Sequence, residues 1–172
     1  EAVFDNVSDV GGRRGENFRN VYRWPDGKYI IIAGGGRLSD QSIRQITNAI
    51  PKISQATRRK LELQPRSHSG DIIIRTIPGS KIRSNLHDLV SCYTQVSGRM
   101  SNISKATIYM PSDDADKSDN CIVHELLHAM GVNGHSHTLP SAISYAHEIT
   151  TLTNWDFLLL AMLYRVGQNR GS

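Results

Sequence analysis

The chain has 172 residues, of which 38% are hydrophobic and 21% charged, and its net charge is +4. This length and composition are typical of a soluble globular protein with a sizeable core, so we expect residues 1–172 to form a single domain. No apolar run approaches the ~20 residues that cross a bilayer, which excludes a membrane-spanning protein. Nucleic-acid binding is not expected either, because the basic residues are scattered and aromatic residues make up only 6% of the chain.

The first predicted elements are a flexible lead-in and a strand. Residues 1–20 are rich in glycine near their middle, and we interpret them as a flexible lead-in. A strand is predicted at residues 28–33, where three consecutive isoleucines indicate burial on both faces. The glycines at 34–36 lack the residues of a phosphate-binding loop, so they are interpreted as a turn.

A long amphipathic helix and three strands follow. The helix is predicted at residues 39–61 from isoleucines at helical spacing, with Ser39 or Asp40 as its N-cap. Pro51 should kink this helix or divide it in two. A turn at residues 97–99 is expected to separate the last two strands. The three strands are predicted at residues 71–77, 89–96 and 105–110.

An acidic segment leads into the next helix. Residues 111–119 are interpreted as a solvated loop rather than a calcium site, because the EF-hand spacing and its closing glutamate are missing. Ser118 is then the expected N-cap of a helix that runs from Asp119 to Met130.

A C-terminal helix completes the predicted elements. Thr153 and Asp156 resemble a capping box at its start. Residues at helical spacing predict one buried apolar face, which would place Met162 in the core. The order of elements predicts a mixed α/β (α+β) fold, with a long helix packed on a mixed sheet. The expected apolar face consists of Trp155, Leu158, Leu159, Met162 and Leu163.

The two cysteines, Cys92 and Cys121, leave two alternatives open. They could form a disulfide in an oxidising compartment, or they could be two buried free thiols. Their spacing in the sequence does not decide between these alternatives.

Residues 124–135 carry the pattern H-E-x-x-H-x-x-G-x-x-H without interruption. His124 and His128 are four residues apart, so on a helix they share one face and can bind one metal ion. Glu125 would lie beside that ion, where it can accept a proton from water. Gly131 allows the helix to stop in a left-handed turn, after which His135 supplies a third imidazole. Three ligands with an open fourth position are typical of catalytic zinc, although copper, nickel or iron also accept three imidazoles.

The glycine and the third histidine of this pattern resemble the metzincin clan of zinc endopeptidases. The resemblance implies a metzincin-like fold, with the motif on an active-site helix. It also implies that Glu125 is the general base and that Zn²⁺ is held by the three histidines of the pattern, His124, His128 and His135.

The metzincin resemblance further implies a methionine turn below the zinc, of the form S-x-M-x-Y. Residues 141–145 match its serine and tyrosine but place Ile143 where the methionine belongs. The other candidate, Met162, falls on the predicted C-terminal helix, which favours Ile143 as the apolar floor. Tyr145 is then a stabiliser of the oxyanion, a loose fifth contact to zinc, or a turn residue packed against the helix. Four other histidines are not assigned to the site: His68, His87, His137 and His147.

We therefore expect a zinc-dependent endopeptidase that acts as a monomer on peptide or protein substrates extended along a sheet edge. One alternative is a catalytically silent, zinc-stabilised binding module, which Ile143 favours and Glu125 opposes. Another is a zinc amidase that acts on an envelope polymer.

Two further stretches resemble an uncharacterised family of bacterial envelope proteins, many of whose zinc motifs are degenerate. The stretches are residues 121–123 before the motif and residues 152–156 before 163–165. This resemblance implies a protein that is secreted or lies in the bacterial cell envelope or periplasm, and the intact zinc motif of this chain favours an active member of the family. Because the chain begins at Glu1 rather than methionine, we also expect that an upstream segment has been removed.

Overall fold

A five-stranded mixed sheet is the framework of the molecule. The computed structural model describes residues 22–85, 92–136, 139–144 and 149–165, without the side chains of 83–85 and 115–117. In chain order the described elements are β1 (Tyr29–Ala33), α1 (Asp40–Thr57), β2 (Lys60–Gln64), β3 (Ile72–Ile77), α2 (Gly79–Asn85), β4 (Tyr93–Arg99), β5 (Asn102–Pro111), α3 (Ala115–Ala129) and α4 (Asn154–Arg165). The mixed α/β fold that the sequence predicted is confirmed.

The strands lie in the order β2-β1-β3-β5-β4. The first four of these pair in parallel, and β4 is antiparallel to β5, so that β2 and β4 form the two edges. In β3 the consecutive residues Ile72, Ile73 and Ile74 are all buried, so this part of the strand is covered on both faces. In β1 the burial on both faces that the sequence predicted is confirmed only in part, because Ile31 is half-buried and Tyr29 is 46% exposed. The fully buried isoleucines of β1 and β3 include Ile30, Ile32 and Ile72.

Helix α1 begins where the sequence predicted and ends earlier. The Oγ of Ser39 accepts a hydrogen bond from the backbone N–H of Ser42 at 2.9 Å, which makes Ser39 the N-cap. Pro51 lies inside one uninterrupted helix, so the predicted division in two is wrong. Proline has no N–H, so the backbone carbonyl four residues earlier lacks its helical hydrogen bond. The Pro51 side chain is exposed, so water can reach that carbonyl. The helix ends at Thr57, and its C-cap Arg58 has a φ of 56°. The chain continues into β2, whose first two residues, Lys60 and Leu61, had been assigned to the helix.

The hairpin between β4 and β5 turns later than predicted. Its turn residues are Met100 and Ser101, with φ values of 52° and 68°, as expected for a two-residue hairpin turn. Gly98 instead lies at a register shift inside β4. A Cβ at Gly98 would lie 2.0 Å from the carbonyl oxygen of Asn102, so the glycine is required by a close backbone approach. The short helix α2 was also missed.

The C-terminal helix α4 buries a different face from the one predicted. The capping box is confirmed, since Thr153 N–H donates to the Asp156 carboxylate at 2.8 Å and Asp156 N–H donates to Thr153 Oγ1 at 3.4 Å. Met162, however, is 64% exposed, so its assignment to the core is wrong. The face of α4 that packs against the core is instead the one that contains Asp156. Its buried residues are Asp156, Leu160, Ala161 and Tyr164.

No helix within the described ranges is long and apolar enough to cross a membrane.

Candidate metal centre

Helix α3 positions the first two histidines inside the protein. The helix is buried on several sides because apolar residues surround its central turns, among them Ile122, Val123, Leu126 and Leu127. His124 and His128 are only 2% and 3% exposed. The helix begins one turn before the predicted start, because Ser118 N–H already bonds the carbonyl of Asp114 at 3.1 Å. Ser118 is therefore not the N-cap; its Oγ donates to the carbonyl of Pro111 at 2.6 Å.

The end of α3 is built around Gly131. Its N–H bonds the carbonyl of His128 at 2.9 Å, and Val132 N–H bonds the carbonyl of Leu127 at 3.1 Å, which together form a Schellman motif. Gly131 has a φ of 97°, as the sequence predicted for a left-handed stop. A Cβ there would also lie 2.0 Å from the carbonyl oxygen of Tyr22, so glycine is required on two separate grounds.

The turn after Gly131 brings the third histidine to the first two. The Nε2 of His135 lies 3.0 Å from that of His124 and 3.3 Å from that of His128, and the His124 and His128 Nε2 atoms are 3.0 Å apart. His135 is partly exposed, which places the cluster at the protein surface. The structure therefore brings together the three histidines of the pattern.

Two of these rings have their orientation fixed by backbone carbonyls. Nδ1 of His124 lies 2.8 Å from the carbonyl oxygen of Ala142, and Nδ1 of His128 lies 2.8 Å from that of Val132. A carbonyl oxygen only accepts hydrogen bonds, so each Nδ1 must carry the hydrogen. In the neutral rings the Nε2 lone pairs then point towards the centre of the cluster.

The cluster fits a metal ion. Lone pairs about 3 Å apart repel each other unless a cation lies between them. A tetrahedral zinc with Zn–N bonds of about 2.0–2.1 Å would separate its imidazole nitrogens by roughly 3.3 Å, close to the spacings observed. Among the described residues, these histidines form the group of side chains that could hold a metal ion. The exposed His68 is not part of it.

The buried segment at residues 141–143, called the floor below, contacts the histidine cluster through the Ala142 carbonyl, which lies 2.8 Å from Nδ1 of His124. Ile143 is 3% exposed, and its carbonyl accepts a hydrogen bond from Ser136 N–H at 3.1 Å, which fastens the residue after His135 to the floor. The fully buried carboxylate of Asp156 accepts hydrogen bonds from Ser141 Oγ and from Ala142 N–H, the latter at 3.0 Å. Asp156 therefore links the start of α4 to the segment that orients a histidine of the cluster.

The carboxylate of Glu125 lies inside the protein. The side chain is 2% exposed, and its Oε2 accepts a hydrogen bond from Thr94 Oγ1 at 2.6 Å. Burial raises the pKa of Glu125 to about 8, and the hydrogen bond from Thr94 opposes that rise. A carboxyl with this pKa is a stronger proton acceptor than an exposed glutamate.

A disulfide joins the edge strand to the motif helix. Cys92, just before β4, is bonded to Cys121 on α3, which resolves the alternative that the sequence left open in favour of a disulfide. A small cleft lies between β4 and the C-terminal end of α3. Its lining includes Thr94, Val96, His128 and Asn133.

Not every sequence-predicted residue is placed. Tyr145, His87, His137 and His147, together with the lead-in at residues 1–20, lie outside the described residues. Thr94 and Ala142 were missed by the sequence analysis, because no motif marks them. Asp156 was noticed as a capping residue, and its second role at the floor had no signal in the sequence.

Fold and site define a mixed α/β domain with a three-histidine cluster that could hold a metal ion. The chain belongs to a family described as a protein of unknown function (DUF2927), whose model matches residues 13–167. No curated protein matches the chain.

Proposed function

We propose that the protein is a zinc-dependent endopeptidase. The observation that carries the proposal is the convergence of three imidazole Nε2 atoms within 3.0–3.3 Å of one another, directly beside a glutamate in the sequence. Three neutral imidazoles are the ligand set of catalytic zinc, whose fourth position is left to water or substrate.

The residues that would hold zinc are His124, His128 and His135. The carbonyls of Ala142 and Val132 keep two of these rings in the tautomer that a metal ligand requires. When bound, zinc would act as a Lewis acid that polarises water and the scissile carbonyl.

Glu125 would be the general base. It would accept the proton of the water that attacks the scissile carbonyl and then pass that proton to the leaving amine nitrogen. Its raised pKa favours proton acceptance, and a cation at the neighbouring imidazoles would favour the ionised form that can act as a base. Tyr145 remains the candidate for stabilising the oxyanion.

The peptide substrate would lie along β4. This strand is an edge of the sheet, and Thr94 and Val96 of β4 line the same cleft as His128. An extended peptide can pair with such an edge as an added strand, and its backbone then runs past the metal centre.

We also propose that the protein works outside the cytoplasm, in the periplasm, the cell envelope or the medium. The Cys92–Cys121 disulfide supports this location, because disulfides persist in oxidising compartments and are rare in the cytosol.

The test compares wild-type protein with Glu125→Gln in metal analysis and in digestion of a mixed peptide library. Both proteins should bind one zinc per chain, and only the wild type should cleave peptides. Cleavage by Glu125→Gln at the wild-type rate would show that Glu125 is not the base. A wild type that binds zinc and cleaves no peptide would refute the endopeptidase. A screen of envelope polymers would then separate an amidase from a silent binding module.

A further inference from the structure

Two connections join the motif helix α3 to the start of the edge strand β4, one through the residue just before the strand and one through its second residue. The first connection is the disulfide between Cys92 and Cys121. The second is the hydrogen bond from Thr94 Oγ1 to Glu125 Oε2 at 2.6 Å. Along the chain, the second connection lies two residues further on the strand side and four residues further on the helix side.

The two-residue step on the strand side and the four-residue step on the helix side cover nearly the same distance. Residues i and i+2 of a strand face the same side and lie about 6.6 Å apart along it. Residues i and i+4 of a helix also share a face, with a rise of about 6.0 Å. Two connections of this spacing therefore hold strand and helix side by side. The intervening Tyr93 faces the other way and packs against Ile82 in a separate cluster.

The Thr94 hydroxyl contacts Glu125 at two acceptors. Thr94 is fully buried, and its Oγ1 lies 2.6 Å from the carboxylate and 3.1 Å from the backbone carbonyl of Glu125. Both acceptors belong to one residue, and a hydroxyl has one hydrogen to donate. The shorter contact is the one to the carboxylate, so the side chain of Glu125 is fixed by the strand.

We propose that Thr94 is the positioning residue of the general base and that the Cys92–Cys121 disulfide sets the strand at the distance this hydrogen bond needs. This proposal rests on the proposed function, in which Glu125 is the base. Because the same strand is the proposed docking edge for the peptide, substrate and base are then placed by one element. Loss of either connection should leave zinc bound while the base loses its orientation.

The first experiment measures kcat, KM and zinc content for Thr94→Val, Thr94→Ser and Thr57→Val. Thr57 is the matched control: it is buried, its hydroxyl bonds the carbonyl of Ile53 at 2.7 Å, and it lies on α1. Thr94→Val should lower kcat about ten- to hundredfold, as expected for a lost hydrogen bond to a charged group. KM should stay within about twofold and zinc at one per chain, because the edge and the imidazoles are unchanged. Thr94→Ser should restore kcat, and Thr57→Val should resemble wild type.

The second experiment tests the disulfide. The double variant Cys92→Ala/Cys121→Ala should lower kcat with zinc still bound. Thr94→Val should then have a smaller effect in that background than in wild type, because the strand is already released. Equal fold-changes in the two backgrounds would contradict the role of the disulfide, and an unchanged kcat for Thr94→Val in the wild-type background would contradict the role of Thr94.

A third measurement separates this proposal from the proposed function. Unfolding of the metal-free protein is compared among wild type, Thr94→Val, Glu125→Ala and the combined variant Thr94→Val/Glu125→Ala. The two changes should be coupled by about three- to tenfold in the unfolding equilibrium constant. Coupling in a protein that cleaves no peptide would support the contact and refute the endopeptidase. Additive effects would overturn the contact itself, whatever the activity.

Discussion

Asp156 holds Ala142 in place: its carboxylate accepts a hydrogen bond from the Ala142 N–H at 3.0 Å. The carbonyl of the same Ala142 lies 2.8 Å from Nδ1 of His124. Helix α4 is thereby connected to a proposed zinc ligand through a single residue. The fully buried carboxylate also accepts hydrogen bonds from Ser141 and Thr153, so its oxygens are used by neutral donors that all belong to the floor or to the cap of α4.

Asp156→Asn should weaken zinc binding about ten- to hundredfold, the usual cost of losing an outer partner of a metal-binding histidine. The amide nitrogen would face N–H or O–H donors, so the floor would shift and the Ala142 carbonyl would no longer orient His124. Zinc affinity is measured by competition with a chelator of known affinity.

Asp119→Asn is the matched control for Asp156→Asn. Asp119 is also a largely buried carboxylate, and it accepts hydrogen bonds from Ser39 Oγ at 2.5 Å and Ser42 Oγ at 2.6 Å. Because it connects α3 to α1 and not to the floor, its loss should lower stability and leave zinc affinity unchanged. If both variants lose zinc affinity equally, the effect comes from general destabilisation.

His128→Ala should abolish stoichiometric zinc binding, because two imidazoles and water hold zinc far more weakly than three imidazoles do. Elemental analysis after gel filtration measures the zinc content directly. His68→Ala provides the comparison, since His68 is exposed and separate from the cluster. Full zinc content in His128→Ala would mean that the proposed ligand set is wrong.

Gly131→Ala should lower the free energy of unfolding by more than about 2 kcal/mol, because it combines a left-handed backbone with a steric clash. The added Cβ would lie 2.0 Å from the Tyr22 carbonyl oxygen. Gly27→Ala separates the two causes: Gly27 has a φ of 72° and nothing within 4 Å of an added Cβ. It should cost only about 1–2 kcal/mol. Equal losses in denaturant unfolding would remove the clash from the explanation.

Leu160→Ala should destabilise the protein by about 2–5 kcal/mol, whereas Leu159→Ala should cost less than about 1 kcal/mol. Leu160 is fully buried and its neighbour Leu159 is 39% exposed. Both variants remove the same atoms from the same helix, so the difference reports which face of α4 is buried. Denaturant unfolding that ranks the two variants in the opposite order would restore the face expected from periodicity.

The error in α4 has a simple cause. The helix is apolar nearly all round, with the sequence NWDFLLLAMLYR, so its periodicity does not decide which side is buried. Two polar groups fix which face of α4 is buried. The Asp156 carboxylate accepts a hydrogen bond from the floor, and the Tyr164 hydroxyl donates to the carbonyl of Met130 at 2.8 Å. Both partners lie on other segments.

The sequence by itself determined the local geometry of this protein. The spacing of His124 and His128, the left-handed stop at Gly131 and the N-cap at Ser39 all follow from contacts within one or two turns of the chain, and the backbone period fixes those contacts.

Only the tertiary structure decided what surrounds the histidines. Thr94 contacts Glu125 across 31 positions and Asp156 contacts Ala142 across 14. Cys92 is bonded to Cys121 because the start of β4 lies beside α3. These contacts depend on how separate elements pack against one another, and hydrophobic burial, which drives that packing, is non-directional and leaves no local spacing in the sequence.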